Sequence, residues 1–255
     1  MSDHVDINRD YWDGIAPDWA QGGEHAWAQE EARWGVWNLP EAELALLPAD
    51  MTGMDAVELG CGTGYVSAWM ARRGARVTGL DVSEVQLETA RRMNDRTGAG
   101  ITFLTGDAER TGLPDASFDF AISEYGAAIW CDPEIWLREA WRLLRPGGEL
   151  VFLGTHPMMI LCSPLTGAPA ERALHRPLRG LKGADWTNVE IEPAGVEFNL
   201  SHSGWHRLFA EIGFGVVRYL ELFGPKGGTP FSIDVAPDWG HDYPIEQVWH
   251  LRKPA

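Results

Sequence analysis

Between residues 55 and 155 the chain alternates short apolar runs rich in β-branched and aromatic residues with longer stretches of helical period. That rhythm is what a parallel sheet covered by helices imposes on a sequence. The runs DAVEL (55–59), RVTGLDV (76–82), ITFLTGD (101–107), FDFAIS (118–123) and ELVFLGT (149–155) predict strands one to five. Between them, VSAWMARRG reads as a helix closed by Gly74, and SEVQLETARRMNDRTG as a helix capped by Ser83. DPEIWLREAWRLLRPGG is opened by Asp132 and Pro133 and ended by its glycines.

After Thr155 the alternation stops for about forty residues rich in proline and glycine, too long for an ordinary connection, which predicts a cap. SGWHRLFAEIGF restores a helix, and GVVRYLELF and IEQVWHLRK predict two last strands running antiparallel. Ahead of the first strand, residues 9–40 hold five of the 13 tryptophans, with a helical stretch expected around Trp27, Trp34 and Trp37 and packing over the open end of the sheet. Trp19 is read with these as cap packing. The expected fold is α/β: a Rossmann-like, doubly wound, seven-stranded and mostly parallel sheet with an antiparallel last strand and helices on both faces. The expected organisation is an N-terminal helical cap over 1–48 and a catalytic domain over 49–255, with 156–202 inserted as a substrate cap.

Gly60, Gly62 and Gly64 follow the first strand at every second position. Ligands of doubly wound sheets sit beyond the carboxyl ends of the strands, and glycines there let bare main chain turn and pass under a bound molecule. The dinucleotide fingerprint G-x-G-x-x-G would need a third glycine where Tyr65 stands, and no lysine follows to make a phosphate-binding loop. NAD(P)-dependent oxidoreduction is therefore the weaker alternative.

With ELGCGTG, the spacings of LDVS, GDAERTGLPDASFD, FAISEYGA and LLRPGGELVF resemble the class I S-adenosylmethionine-dependent methyltransferases over residues 55–155. The resemblance implies S-adenosylmethionine as cofactor and S-adenosylhomocysteine as product. It implies that Asp81 accepts from both ribose hydroxyls, that Asp107 accepts from the adenine amine while the Ala108 backbone donates, and that Glu58 partners the ammonium; the alternatives are a helix cap for Asp81, a solvated loop carboxylate for Asp107 and a strand-end acid satisfied by backbone donors for Glu58. Cys61, Val82, Gln86, Glu109 and Ser123 complete the implied cofactor set with the three glycines. Tyr11 stands with Trp12 where the family often closes an aromatic over the cofactor; packing is the alternative for both.

Methyl transfer from a sulfonium is an in-line displacement in which the protein mainly positions the acceptor, and a base is needed only where the acceptor must lose a proton. Glu124 after strand four and His156 after strand five are the candidate catalytic residues, with Tyr125, His202 and His206 behind them; the alternatives are that His156, before a proline, only shapes the turn and that Glu124 orients the cofactor. The chain lacks the [DNS]PP[YFW] run that base-modifying members of the superfamily carry after strand four, and it has SEYG there. HRPLRGLKG gathers His175, Arg176, Arg179 and Lys182, either for an anionic acceptor or as a solvated lid surface.

Formal charge is −16, from 37 acidic and 21 basic residues, which argues against nucleic acid and membrane partners. Cys61, Cys131 and Cys162 form no CxxC pair, and the histidines no HExxH set, so no metal is expected. The N-terminus lacks the basic and apolar regions of a signal peptide. The expectation is a cytoplasmic monomer or homodimer that methylates a small molecule at an O, N or C atom. A non-catalytic binder of S-adenosylmethionine or its product is the alternative.

Overall fold

A computed structural model describes residues 3–233, 235–236 and 238–255. Seven strands form the central sheet: β1 (Asp55–Leu59), β2 (Arg76–Asp81), β3 (Thr102–Thr105), β4 (Phe118–Glu124), β5 (Leu144–Thr155), β6 (Gly215–Leu222) and β7 (Glu246–Arg252). Their order is β6-β7-β5-β4-β1-β2-β3. β1 pairs parallel with β2 and β4, β2 with β3, and β4 with β5, whereas β7 runs antiparallel to both β5 and β6. The chain thus winds outward in two directions from β1, and the reversal lies between β1 and β4.

Side chains alternate across a strand, so a strand covered on both faces divides its apolar residues between two cores. Ala56, Phe120, Ile122, Val151 and Leu153 join one core, with Val66, Met70, Leu87 and Ala90 from α2 (Tyr65–Arg72) and α3 (Glu84–Thr97). Val57, Ala121, Leu150 and Phe152 join the other, with Trp136 and Leu137 of α4 (Pro133–Leu143) and Trp205 and Phe209 of α5 (His202–Ile212). Burial of each such large side chain contributes on the order of 2 kcal/mol, so neither helical layer comes away without loss of the whole domain. The predicted caps form: Ser83 Oγ accepts from Gln86 N–H and Asp132 from Glu134 N–H.

The N-terminal segment departs from expectation. Its helix, α1, runs earlier and longer, Asp3–Ala28, while Trp34 lies in a two-residue strand, Arg33–Trp34, paired with Leu39–Pro40. Glu41 anchors this segment from a buried position: its carboxylate accepts from Trp34 Nε1 (2.7 Å), Leu46 N (3.0 Å) and Leu47 N (3.0 Å), and from Arg73 (3.0 Å). Trp27 Nε1 donates to Thr63 O at 2.7 Å, fastening the end of α1 to the glycine loop. The segment after β5 contains the short helix Pro157–Cys162 and a hairpin of Gly183–Asp185 with Val196–Phe198. Asn8 ties that hairpin to α1, donating to Val196 O (2.9 Å) and accepting from Val196 N (2.7 Å). Among the described residues no helix is long and apolar enough to cross a membrane.

Candidate active site

The three glycines all lie in left-handed backbone, and close packing requires two of them. A Cβ on Gly60 would lie 2.5 Å from Gly126 Cα, because the loops after β1 and β4 press back to back at the winding reversal. A Cβ on Gly64 would lie 2.6 Å from the Phe103 ring of β3. A Cβ on Gly62 would meet nothing within 4 Å. Gly62 instead lines a cavity of about 420 Å³, within the range of small-molecule sites, at the carboxyl ends of β1, β2 and β4. Bare main chain therefore forms part of the cavity floor, a cradle that a side chain would fill.

Around that floor the cavity collects Glu58, Gly60, Cys61, Asp81, Val82 and Gln86, with Asp107 and Ala108 after β3 and Tyr11 from α1. Asp81 accepts from Gly62 N (2.7 Å) and Ser83 N (2.8 Å), and burial raises its pKa above the ordinary aspartate value. Glu58 accepts from the Ser67 N–H (2.7 Å) and hydroxyl (2.5 Å), and burial raises its carboxyl well above the usual range. Asp107 accepts from Glu109 N–H at 2.8 Å, which fixes the loop after β3. An adenosyl group fits this set: a carboxylate offers paired acceptors to a vicinal diol, and a buried carboxylate is stabilised by an arriving cation.

Glu124, at the end of β4, also lines the cavity. Its two oxygens accept from Gly35 N–H (3.1 Å) and from the Tyr65 hydroxyl, and burial raises its pKa. Tyr125 beside it holds a left-handed φ of 53°, and its hydroxyl donates to Glu246 at 2.9 Å. Glu246 on β7 is buried and accepts from Val36 N–H at 2.9 Å, and burial pushes its pKa up to about 8.

Four predicted site residues serve elsewhere. His156 does not line the cavity: its Nδ1 accepts from Met158 N–H at 3.0 Å, so the ring proton sits on Nε2, 3.3 Å from Glu221. Burial, with His202 beside it, pushes its pKa down to about 4, too low for a base at neutral pH. The ligand atoms of His156, His202 and Glu221 lie within 4.8 Å of one another, but the His156 tautomer leaves no Nε2 lone pair for an ion. Ser123 joins β1 to the turn after β4, donating to Leu59 O (2.7 Å) and accepting from Ala128 N (3.0 Å). Glu109 accepts from Asp132 N (2.7 Å) and lies 2.6 Å from His4 Nε2, and Gly64 packs against Phe103. The HRPLRGLKG cations do not reach the cavity either; Arg176 donates to the carbonyls of Ile160 (3.1 Å) and Ser163.

Sequence reading missed Asn8, Trp130, Trp186, Glu192 and Glu197, all of which line the cavity. Glu197 is buried and accepts from Trp186 Nε1 at 2.9 Å. One signal was present: Val5, Asn8, Trp12 and Trp19 are spaced by 3, 4 and 7, the stripe of a single helix face. The hairpin residues carried none, since their strands are too short to show a period.

A family model described as a methyltransferase domain matches residues 57–152. Demethylmenaquinone methyltransferase of Thermus thermophilus is 35% identical over 190 residues, covering 74% of this chain and 85% of that protein. Malonyl-[acyl-carrier protein] O-methyltransferase of Serratia marcescens is 40% identical over 101 residues, 39% of this chain and only 38% of that protein. A crystal structure of an S-adenosylmethionine-dependent methyltransferase from Mesorhizobium loti superposes with a TM-score of 0.65 at 27% identity, covering 83% of this chain and 95% of the other. With the glycine loop, the β3-β2-β1-β4-β5-β7-β6 sheet and these likenesses, the chain belongs to the class I S-adenosylmethionine-dependent methyltransferase family.

Proposed function

We propose that the protein transfers a methyl group to a small-molecule acceptor held between α1 and the segment after β5. The observation that carries this reading is the open main chain at Gly62, with the Asp81 carboxylate 2.7 Å from its N–H. Bound S-adenosylmethionine supplies an electrophilic methyl group on a sulfonium. In this reading Asp81 accepts from the ribose hydroxyls, Asp107 and the Ala108 N–H take the adenine edge, and Glu58 faces the ammonium. Val82 and Gln86 border the adenosyl part, and Tyr11 closes over it.

Glu124 is the proton acceptor where the acceptor atom must be deprotonated. Each of its oxygens takes one hydrogen bond within the protein and keeps a second lone pair, and its raised pKa brings it nearer to that of the group it serves. Trp12, Trp19 and Trp130 exclude water from the acceptor side, and fixed orientation of the two reactants is worth roughly 7–11 kcal/mol of the barrier. The test is calorimetry with S-adenosylhomocysteine followed by assay of methyl transfer from labelled S-adenosylmethionine to a panel of phenols, amines and carbonyl carbon acids. Micromolar binding and label in one acceptor class are expected; no binding of the product would defeat the reading.

A further inference from the structure

The wall of the cavity has a charge composition that bears on the acceptor, granted the methyltransferase reading above. Six acidic residues line it, Glu58, Asp81, Asp107, Glu124, Glu192 and Glu197, and among the described residues no Lys, Arg or His does. The neighbouring cations are held by other partners, and Arg176 acts on Glu197 from outside the lining. Arg176 serves carbonyl oxygens and lies 4.7 Å from the Trp186 ring centroid, His175 pairs with Glu171 at 2.8 Å, and Arg172 pairs with Asp242 at 2.5 Å.

Glu58, Asp81 and Asp107 are matched by the ammonium, ribose and adenine of the cofactor, which leaves Glu124, Glu192 and Glu197 to the acceptor side. The rest of that side is aromatic. Trp12 stands edge to face with Trp19 (5.6 Å between ring centroids) and Trp130 (5.6 Å), and Trp19 with Phe231 (5.7 Å). Tyr11 and Trp186 extend this wall.

An acceptor bearing a carboxylate or phosphate would enter such a site among carboxyl groups, with no Lys, Arg or His among the described lining residues to receive it. An ammonium would find both things that attract it there: carboxyl oxygens for its N–H donors and ring faces for its charge. We infer that the acceptor is a basic amine carried on an apolar body of ring size, bound in its ammonium form, and that acidic acceptors are rejected. The ammonium passes one proton to the Glu124 carboxylate, which frees the nitrogen lone pair. That pair forms the new N–CH3 bond as the sulfur–methyl bond breaks, with the bonding electrons left on sulfur.

Titrations of protein loaded with S-adenosylhomocysteine test this with three probes of matched shape: 2-phenylethylamine, 2-phenylethanol and 3-phenylpropionate. The amine is expected to bind at least tenfold more tightly than the alcohol, and the carboxylate not measurably. Glu192→Gln removes one charge at an exposed position, and Glu197→Gln retains an oxygen for the Trp186 N–H; each is expected to shrink the amine's advantage several-fold, the Glu192 variant with the melting temperature unchanged. Equal binding of amine and alcohol, preference for the carboxylate, or binding of none of the three overturns the inference. S-adenosylhomocysteine itself failing to bind in the loading step is a separate result, and it defeats the methyltransferase reading instead.

Discussion

Substituting alanine at Gly62 and at Gly64 separates the ligand-facing glycine from the packing one. Both positions have left-handed backbone, φ 49° at Gly62 and φ 77° at Gly64, which costs a residue with a Cβ about 1–2 kcal/mol. At Gly62 that is nearly the whole loss to stability, because the new methyl meets no protein atom within 4 Å. At Gly64 the methyl sits 2.6 Å from Phe103 and 3.1 Å from Ala90 Cβ, and overpacking adds about 1–3 kcal/mol, for about 2–5 kcal/mol in all. Binding should rank the other way. The Gly62 methyl occupies cavity space, so affinity for S-adenosylhomocysteine should fall at least tenfold, whereas the Gly64 methyl points into β3 and should leave it within a few-fold. Urea unfolding gives the first ranking and calorimetry on the folded variants the second. Wild-type affinity in Gly62→Ala, or a loss in Gly64→Ala as large as in Gly62→Ala, would refute the division of labour.

Two further outcomes are expected. Asp81→Ala should abolish measurable S-adenosylhomocysteine binding in a protein that still folds cooperatively, since a buried charge leaves together with its bonds to Gly62 and Ser83; unchanged calorimetric affinity would contradict the ribose assignment. Glu246 retains its proton in the folded chain up to about pH 8, whereas an ordinary glutamate releases it near 4.5, so the folded state binds the extra proton across that window and stability falls as pH rises through it. At about 1.4 kcal/mol per pH unit the ceiling is about 5 kcal/mol, so Glu246→Gln should gain on wild type by several kcal/mol between pH 5 and pH 8.5; urea curves that stay a constant distance apart would exclude it.

The parts of this molecule that were legible in its sequence are those in which the main chain does the work. Strand period, helix caps and the glycine loop are local, and each left its own mark: Ser83 and Asp132 cap as read, and the alternation in FDFAIS divides Phe120 and Ile122 from Ala121 across the sheet. Residues beyond the strand ends were harder because position in a motif does not say where a side chain turns. His156 follows β5 directly, yet the X-Pro step into the next helix makes it an N-cap, and its ring turns to Met158 N–H and Glu221. Ser123 likewise turns to Leu59 O, because the tight approach of Gly60 and Gly126 leaves a strand-end carbonyl to be satisfied.

The acceptor wall was illegible for a deeper reason. Cofactor contacts arise at turns whose spacing the sheet dictates, so a chain that keeps the sheet must keep the spacing. Asn8, Trp130, Glu197 and Phe231 come from four segments with no register among them, and tertiary contacts bring them together, such as the hydrogen bonds of Asn8 to Trp130 O (2.9 Å) and to the Val196 backbone and the ring contact of Trp19 with Phe231. The net charge of −16 gave no warning either, since carboxylates scattered over a surface and carboxylates gathered round a cavity count alike. The basic run HRPLRGLKG drew attention to anions, but a guanidinium with free carbonyl oxygens within reach is stabilised by them without any ligand, as Arg176 is by Ile160 and Ser163. If the acceptor is chosen as inferred above, its selectivity resides in where separate segments bring their acids, a property of the assembled cavity that no single stretch of the chain encodes.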